Sequence, residues 1–176
     1  MSFLLSLFRS RTKNADITIC GLDDAGKTTI LRFLETGYFN ETTPTMGVNR
    51  ETLHLPGLQI NVFDLAGQED FRNMWHSVNE KSDGIVFVVD RSNAMRFNEA
   101  KYVFKQTTNA QLDNDVIVLI ILNKSDLPDL IDKSQFITEF DLQILPFKWA
   151  IFETSAKTGE GIFDAFKWFV DEFIGG

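Results

Sequence analysis

Cysteine, histidine and positive charge are scarce in this chain, and long apolar runs are missing. The single cysteine, Cys20, cannot form a disulfide within the chain, and its apolar setting indicates a small core residue in a reducing compartment. The two histidines, His54 and His76, do not form a metal or catalytic cluster. A net charge of −8 and a pI of about 4.7 argue against nucleic acid as a partner. No apolar run approaches the ~20 residues that a membrane-spanning helix needs.

The rest of the composition is that of an ordinary folded domain. Of the 176 residues, 44% are hydrophobic and 24% are charged, which is enough apolar material for one substantial core. No repeat, low-complexity tract or interdomain linker divides the chain. The sequence therefore predicts one monomeric domain over residues 15–176, preceded by a segment of different character at residues 1–14.

The segment at residues 1–14 has the pattern of a short amphipathic helix. Its apolar face carries Phe3, Leu4, Leu7 and Phe8. Three basic residues follow this face, whereas a secretory signal places its positive charge before the apolar core. We therefore expect residues 1–13 to bind a membrane surface as an interfacial anchor. The alternative is that the helix packs on the domain, and the two arrangements can alternate.

Strand-like and helix-like segments alternate along the rest of the chain. Strands are predicted over residues 15–20, 58–63, 85–89, 116–122 and 149–152. Helices are predicted over residues 27–35, 96–107, 133–139 and 162–173. The nearly continuous apolar runs at 85–89 and 116–122 are typical of strands buried on both faces. We therefore expect an α/β fold with a mostly parallel sheet and helices on both faces.

The strand at residues 58–63 differs from the others because apolar and polar residues alternate in it. This alternation predicts that one of its faces meets solvent. It follows a polar strand at residues 48–55 and the turn dipeptide Pro56-Gly57. We expect these two strands to form one antiparallel hairpin at the edge of the sheet.

The octapeptide GLDDAGKT at residues 21–28 has the pattern of a phosphate-binding loop, with the strand before it and the helix after it that such a loop requires. Glycine lets the backbone N–H groups curl round a phosphate, and the helix directs the positive end of its dipole at the same anion. Lys27 supplies a full positive charge, and the Thr28 hydroxyl can ligate Mg²⁺. We expect nucleotide contacts from Asp23, Asp24, Ala25, Gly26, Lys27, Thr28 and Thr29.

A polar motif, NKSD at residues 123–126, ends a buried strand, where open α/β sheets place their ligands. Asp126 has two acceptor oxygens that match the N1–H and the exocyclic amine of guanine, a donor pair that adenine lacks. Asn123 can bond the base N7 and connect this motif to the phosphate loop. The stem of Lys124 can lie along the plane of the base. Taken alone, the motif could be an ordinary polar turn.

A second motif, TSAK at residues 154–157, ends the next predicted strand. Its backbone N–H groups can donate to the guanine O6, and that of Ala156 is the expected donor. We expect Ser155 and Lys157 to contribute to the same side of the base. With a phosphate loop upstream, the two motifs together predict a guanine nucleotide rather than an adenine nucleotide.

The sequence DLAGQ at residues 64–68 supplies groups suited to a γ-phosphate. Asp64 can hold Mg²⁺ through water, the Gly67 N–H can meet the phosphate, and Gln68 can orient the attacking water. Thr45, between the first helix and the hairpin, can complete the Mg²⁺ coordination through its hydroxyl. Asp64 alone would be interpreted as a cap or turn residue, and Thr45 alone as part of a surface loop. Their significance therefore comes from their occurring together.

Together these motifs resemble those of the small GTPases of the Ras superfamily, over nearly the whole chain. The phosphate loop with paired threonines, PTMG at 44–47, FRNMW at 71–75 and LP at 127–128 resemble the Arf/Arl/Sar branch. The resemblance implies a small G domain of the P-loop NTPase class that binds GTP/GDP and Mg²⁺, with Gln68 and Lys27 as catalytic residues. It also implies an exchange factor, a GTPase-activating protein, and effectors that contact the switch regions around Thr45 and Gln68.

Several residues depart from the Arf pattern, and two of them bear on membrane attachment and on the phosphate loop. Position 2 is Ser2, so the glycine required for N-myristoylation is missing and membrane attachment must depend on the helix. Asp24 adds a second carboxylate to the phosphate loop, where it either weakens triphosphate binding or faces solvent. There is no cysteine near the C-terminus for prenylation, which also fits this branch.

The function implied is a GTP-driven switch with slow hydrolysis, cytoplasmic and bound peripherally to membranes in its GTP state. Two alternatives stay open. One is a scaffold that holds GTP without hydrolysing it, against which the intact Thr45 and Gln68 argue. The other is a P-loop kinase or ATPase, against which Asp126 argues.

Overall fold

The structure, a computed structural model, describes residues 15–39, 50–55, 58–63, 82–109 and 115–175. Within these ranges the strands are β1 (Ala15–Cys20), β2 (Arg50–Leu55), β3 (Leu58–Phe63), β4 (Gly84–Asp90), β5 (Ile117–Asn123) and β6 (Trp149–Glu153). They form one sheet in the order β2-β3-β1-β4-β5-β6. Strand β2 pairs antiparallel with β3, and the other neighbouring strands are parallel. The predicted turn at Pro56 and Gly57 lies outside the described residues.

The helices follow the predicted pattern. They are α1 (Lys27–Thr36), α2 (Phe97–Asn109), α3 (Lys133–Glu139) and α4 (Ile162–Gly175), with short 3-10 turns at Ala94–Arg96 and Leu142–Ile144. The Asp132 side chain caps α3 by accepting from the Ser134 N–H at 2.7 Å. Among the described segments, the predicted ends of strands and helices differ from the observed ends by at most two residues. No described helix is both long and apolar enough to span a bilayer.

Alternate residues of the two central strands point to opposite faces of the sheet. On one face, Phe87 and Ile120 pack with phenylalanines of α2 and α3. On the other face, Val88 and Ile121 pack with apolar residues of α1 and α4. Burying each such large apolar side chain stabilises the fold by about 1.5–3 kcal/mol. Because β4 and β5 are buried on both faces, their sequences contain no polar alternation, as predicted.

The strand order places the loop after β1 at a topological switch point of the sheet. Strand β1 lies between β3 and β4, so β2 and β3 are on one side of β1 and the later strands β4 to β6 are on the other. In open α/β sheets, ligands bind outside the carboxyl ends of the strands at such a point. The loop after β1, residues 21–26, is the predicted phosphate-binding loop. The fold thus has a mainly parallel sheet with helices on both faces, as expected for a P-loop small G domain.

Candidate functional site

Two glycines let the phosphate loop approach its neighbours closely. Gly21 has φ 139°, and a Cβ there would lie 2.1 Å from the carbonyl oxygen of Val88 on β4. Gly26 is the N-cap of α1 with φ 93°, and a Cβ there would lie 2.3 Å from the Asn123 amide nitrogen. Any larger residue at either position would push the loop away from β4 or β5. Glycine is therefore required by the packing of this loop.

The Lys27 side chain lies beneath the phosphate loop. Only 2% of the residue is exposed, and its Nζ donates to the carbonyl oxygens of Gly21 at 2.8 Å and Leu22 at 2.6 Å. A buried ammonium group is costly unless it is hydrogen-bonded, so these carbonyls hold it in place. Thr28 and Thr29 follow in the first turn of α1 and are half-buried. The N–H groups of that turn have no acceptors within the helix, which makes it suited to an anion.

Asn123 joins the three predicted motif loops. Its Nδ2 donates to the Ala25 carbonyl oxygen of the phosphate loop at 2.9 Å. Its Oδ1 accepts from the Ala156 N–H at 3.0 Å and from the Thr154 hydroxyl at 3.3 Å. The predicted connection between NKSD and the phosphate loop is present. The Ala156 N–H, however, which was expected to face the base, donates to Asn123.

Asp126 is positioned by the second base motif. The residue is exposed, and its Oδ1 accepts from the Ser155 hydroxyl at 2.6 Å. The Ser155 oxygen accepts in turn from the Thr158 N–H at 3.1 Å. Ser155 itself is fully buried, whereas Lys157 beside it is exposed. Ser155 therefore orients the Asp126 carboxylate, a role that the sequence motif by itself did not reveal.

Lys124 bridges the base motif and two acidic residues. It adopts φ 64°, and its Nζ lies 2.8 Å from Asp90 Oδ2 and 3.2 Å from Asp24 Oδ2. Burial of the ammonium group opposes ionisation, but the hydrogen bond and charge of Asp90, aided by Asp24, outweigh it and raise the pKa of Lys124. The Asp24 side chain is 84% exposed. Asp24 therefore faces solvent, which is one of the two alternatives expected for it from the sequence.

Arg96 is a residue of the site that sequence reasoning missed. Its Nη2 lies 2.7 Å from Asp23 Oδ1, its Nη1 donates to the Asp23 carbonyl oxygen at 3.3 Å, and its Nε pairs with Glu99. The hydrogen bond from Arg96 is the largest cause that lowers the pKa of Asp23 below its ordinary value. Arg96 stands outside every recognisable motif, in the 3-10 turn before α2. The Asp23 side chain, expected among the nucleotide contacts, thus holds the loop to Arg96.

Four predicted site residues, Thr45, Asp64, Gly67 and Gln68, lie outside the described residues, as does the predicted amphipathic helix at 1–14. The remaining site residues are brought together at the carboxyl ends of β1, β5 and β6. Within the ranges that the structure describes, no group of three or more His, Cys, Asp or Glu side chains could hold a metal ion by itself. Thr28, the predicted Mg²⁺ ligand, lies in the first turn of α1 directly after the phosphate loop.

Comparison with known proteins shows the family to which the chain belongs. The model of the ADP-ribosylation factor (Arf) family matches residues 1–173. The chain belongs to the Arf family. It is similar to ADP-ribosylation factor 1 of Brassica rapa subsp. pekinensis, with 38% identity over 157 residues that cover 89% of this chain and 86% of the relative. ADP-ribosylation factor 3 of Arabidopsis thaliana is similar to the same extent. ADP-ribosylation factor F of Dictyostelium discoideum is 34% identical over 175 residues, which cover 98% of this chain and 92% of the relative.

Membership of the Arf family settles the general function. The protein is a GTP-binding molecular switch that acts in membrane trafficking, and the scaffold alternative is not favoured. Arf proteins in general bind guanine nucleotide, have GTPase activity and interact with exchange factors, GTPase-activating proteins and effectors. The guanine nucleotide expected from NKSD and TSAK agrees with this membership.

Proposed function

We propose that the site binds GTP and GDP with Mg²⁺ and hydrolyses GTP slowly. The observation that carries the proposal is the placement of Asn123, whose single amide contacts both the phosphate loop at Ala25 and the second base motif at Ala156. One nucleotide can therefore extend from one motif to the other. The other rival is a P-loop kinase or ATPase, and it fits less well because the Asp126 carboxylate suits the N–H pair of guanine.

The base end of the site favours guanine. The two Asp126 oxygens accept from the N1–H and the exocyclic amine, and the Ser155 hydroxyl holds that carboxylate in orientation. The Lys124 stem lies along the base, with its ammonium group held by Asp90. The Ala156 N–H, which donates to Asn123 Oδ1, donates also to the guanine O6 when the base is bound. Lys157 lies beside it. Adenine offers no matching N–H pair to Asp126, so the two contacts between this carboxylate and the base are lost.

The phosphate end of the site supplies donors and charge. Backbone N–H groups of residues 23–29 surround the phosphates, and Lys27 neutralises the outer ones. Thr28 and Thr45 hold Mg²⁺ through their hydroxyls, and Asp64 holds it through water. When bound, Mg²⁺ offsets the charge that develops on the phosphate oxygens. The buried and carbonyl-bonded Lys27 fits this role because its ammonium group is already oriented beneath the loop.

Hydrolysis depends on Gln68, which orients the attacking water, and on Gly67, whose N–H meets the γ-phosphate. The sequence offers no internal arginine suited to stabilise the transferring group, because Arg50 belongs to the hairpin strand and Arg72 follows the switch sequence. Arg96 contacts the phosphate loop, but it is bonded to Asp23 and Glu99. Intrinsic turnover is therefore slow, and an arginine from a GTPase-activating protein can raise it by about 10³–10⁵-fold.

The switch follows from contacts that exist only with GTP. Thr45 and Gly67 touch the γ-phosphate, so their loops become ordered with GTP and relax with GDP, and effectors read that difference. The amphipathic residues 1–13 attach the protein to a membrane surface in the GTP state and leave it in the cytoplasm otherwise. A single apolar helix without myristate binds weakly and reversibly, which suits a switch.

Competition between nucleotides tests the base and phosphate assignments. A fluorescent GDP analogue is bound to the full chain with Mg²⁺, and unlabelled GTP, GDP and ATP are added in turn. We expect GTP and GDP to displace it and ATP to fail at equal concentrations. Mass spectrometry of the copurified nucleotide provides an independent check. Displacement by ATP as effective as that by GTP would favour the ATPase or kinase.

Vesicle flotation tests the membrane assignment. We expect the full chain loaded with a non-hydrolysable GTP analogue to float with anionic vesicles, and the GDP form to stay in solution. A chain without residues 2–13 serves as the control and should not float in either state. Equal flotation of the GDP and GTP forms would remove the coupling between nucleotide and membrane.

A further inference from the structure

The loop that carries Asp126 is held in a costly conformation. It runs through residues 124–132, between β5 and α3, and contains no helix or strand. Lys124 and Asp129 both have positive φ, at 64° and 57°, and neither is glycine. Each such residue costs about 1–2 kcal/mol relative to a right-handed conformation. Surrounding contacts must therefore hold this loop in the shape that presents Asp126.

The near end of the loop has its own contacts. The Ser125 N–H donates to the Thr154 carbonyl oxygen at 3.0 Å, and the Ser125 hydroxyl donates to the Leu122 carbonyl oxygen at 3.1 Å. The Leu127 N–H donates to the Lys124 carbonyl oxygen at 3.1 Å. These bonds hold the first residues of the loop but do not reach beyond residue 127.

The far end of the loop is held by Arg91, just after β4. The Ile131 N–H donates to the Arg91 carbonyl oxygen at 3.1 Å, and the Arg91 Nε donates to the Ile131 carbonyl oxygen at 2.6 Å. The Arg91 N–H donates to the Asn123 carbonyl oxygen at 3.0 Å, and the guanidinium also pairs with Glu153 at 2.6 Å. One residue thus connects the ends of β4, β5 and β6 to the loop.

The contact with Ile131 matters more than the ion pair with Glu153. Only 12% of the Arg91 side chain is exposed, whereas 42% of the Glu153 side chain is exposed. Ion pairs with an exposed partner contribute little because water screens them. A hydrogen bond from a charged donor to a carbonyl in a mostly buried position contributes more to stability. Loss of the donor leaves that carbonyl oxygen unpaired. Ile131 also packs against the apolar core, so the contact attaches the loop to a rigid base.

We propose that Arg91 is a positioning residue for base recognition, which bonds Ile131 so that the loop presents the Asp126 carboxylate to guanine. This inference rests on the proposed nucleotide site. Arg91 touches no part of the nucleotide and acts only through the loop. Lysine cannot replace it fully, because a single ammonium group lacks the planar fork that serves Ile131 and Glu153 together.

The test compares GDP with IDP, whose base lacks the exocyclic amine that Asp126 accepts from. Unlabelled GDP and IDP compete with a fluorescent GDP analogue for the wild-type full chain and for Arg91→Ala. We expect the preference for GDP over IDP to fall by about tenfold or more in Arg91→Ala. Arg91→Lys, which retains the charge, should show an intermediate preference and covers the case in which Arg91→Ala fails to fold.

Two control variants separate positioning from general stability. Glu153→Gln removes the ion pair but leaves the Ile131 contact, so its preference should stay within about twofold of the wild type. Lys167→Ala removes a cation from the exposed face of α4 and should leave the preference for GDP over IDP unchanged.

Three outcomes would contradict these expectations. If Arg91→Ala and Arg91→Lys lower the melting temperature but keep the wild-type preference for GDP, Arg91 is only structural. A loss in Glu153→Gln equal to that in Arg91→Ala would also overturn the inference. Absence of any guanine preference in the wild type would instead refute the proposed function.

Discussion

The Asn123 amide donates to the Ala25 carbonyl oxygen at 2.9 Å across a sequence separation of 98 residues. This bond ties the phosphate loop directly to the base motif. Gly26 makes the approach possible, since a side chain there would collide with the same amide. The close approach of the phosphate loop to the base motif thus depends on a glycine and an asparagine that belong to different motifs.

Replacing Asn123 with alanine should destabilise the protein. Asn123 is 2% exposed, and its loss leaves the Ala25 carbonyl and the Ala156 N–H without their partner. We expect the free energy of unfolding to fall by about 2–4 kcal/mol, measured by urea denaturation at a fixed GDP concentration. Gln143→Ala, an exposed amide in the second 3-10 turn, is the control and should change it by less than about 0.5 kcal/mol. Equal values for the two variants would contradict the prediction.

The ion pair between Asp23 and Arg96 should be visible in a titration. The hydrogen bond from Arg96 lowers the pKa of Asp23 below its ordinary value of 3.8. Because the folded pKa is depressed, the pair stabilises the protein above pH 3.8, and this contribution is lost as the pH falls through the folded pKa. Half of the Asp23 side chain is exposed, so the contribution is below about 1 kcal/mol.

NMR titration of the Asp23 carboxyl group measures its pKa directly. In the wild type we expect its midpoint below 3.8, and in Arg96→Ala we expect the midpoint to return toward that value. Lys101→Ala removes another cation of α2, one that pairs with Glu139, and should leave the Asp23 midpoint unchanged. An identical midpoint in the wild type and Arg96→Ala would show that the pair does not form in solution.

Replacing Gln68 with leucine should separate hydrolysis from binding. Leucine cannot orient the attacking water, so single-turnover GTP hydrolysis should fall by about 10²-fold or more. Affinity for GTP should stay nearly the same, because the phosphate and base contacts are retained. The matched control is Gln135→Leu, an exposed glutamine of α3, which should hydrolyse GTP at the wild-type rate. Unchanged hydrolysis in Gln68→Leu would remove this residue from the mechanism.

The single thiol should be unreactive in the folded protein. Burial raises the pKa of Cys20 to about 12, against the opposing charge of Lys27. At pH 8 the thiolate fraction is then about 10⁻⁴, and the thiol is also shielded from reagents. We expect no reaction with an aromatic disulfide reagent under native conditions and one thiol per chain after unfolding in guanidinium chloride. Rapid labelling of the native protein would show that the end of β1 opens readily.

Local patterns in the sequence predicted the strands and helices of the described residues and the motif loops that meet at the carboxyl ends of β1, β5 and β6. The ends of α3 were predicted to the residue, and β4 and β5 were recognisable because strands buried on both faces need no polar alternation. Motif residues next to each other in the chain, such as Gly26 and Lys27, share a loop whatever the rest of the fold does. Their chemistry could therefore be interpreted without coordinates.

The sequence alone determined that this chain is an α/β domain with a phosphate loop and a guanine motif, because periodicity and contiguous motifs are local properties. Only the tertiary structure decided which side chains hold those loops: Arg96 on Asp23, Arg91 on Ile131 and Lys124 between Asp90 and Asp24. Each of these contacts joins residues far apart in the chain, and the strand order brings them together. The same reason explains why the Ala156 N–H, assigned to the base from its motif, is bonded to Asn123 in the folded protein.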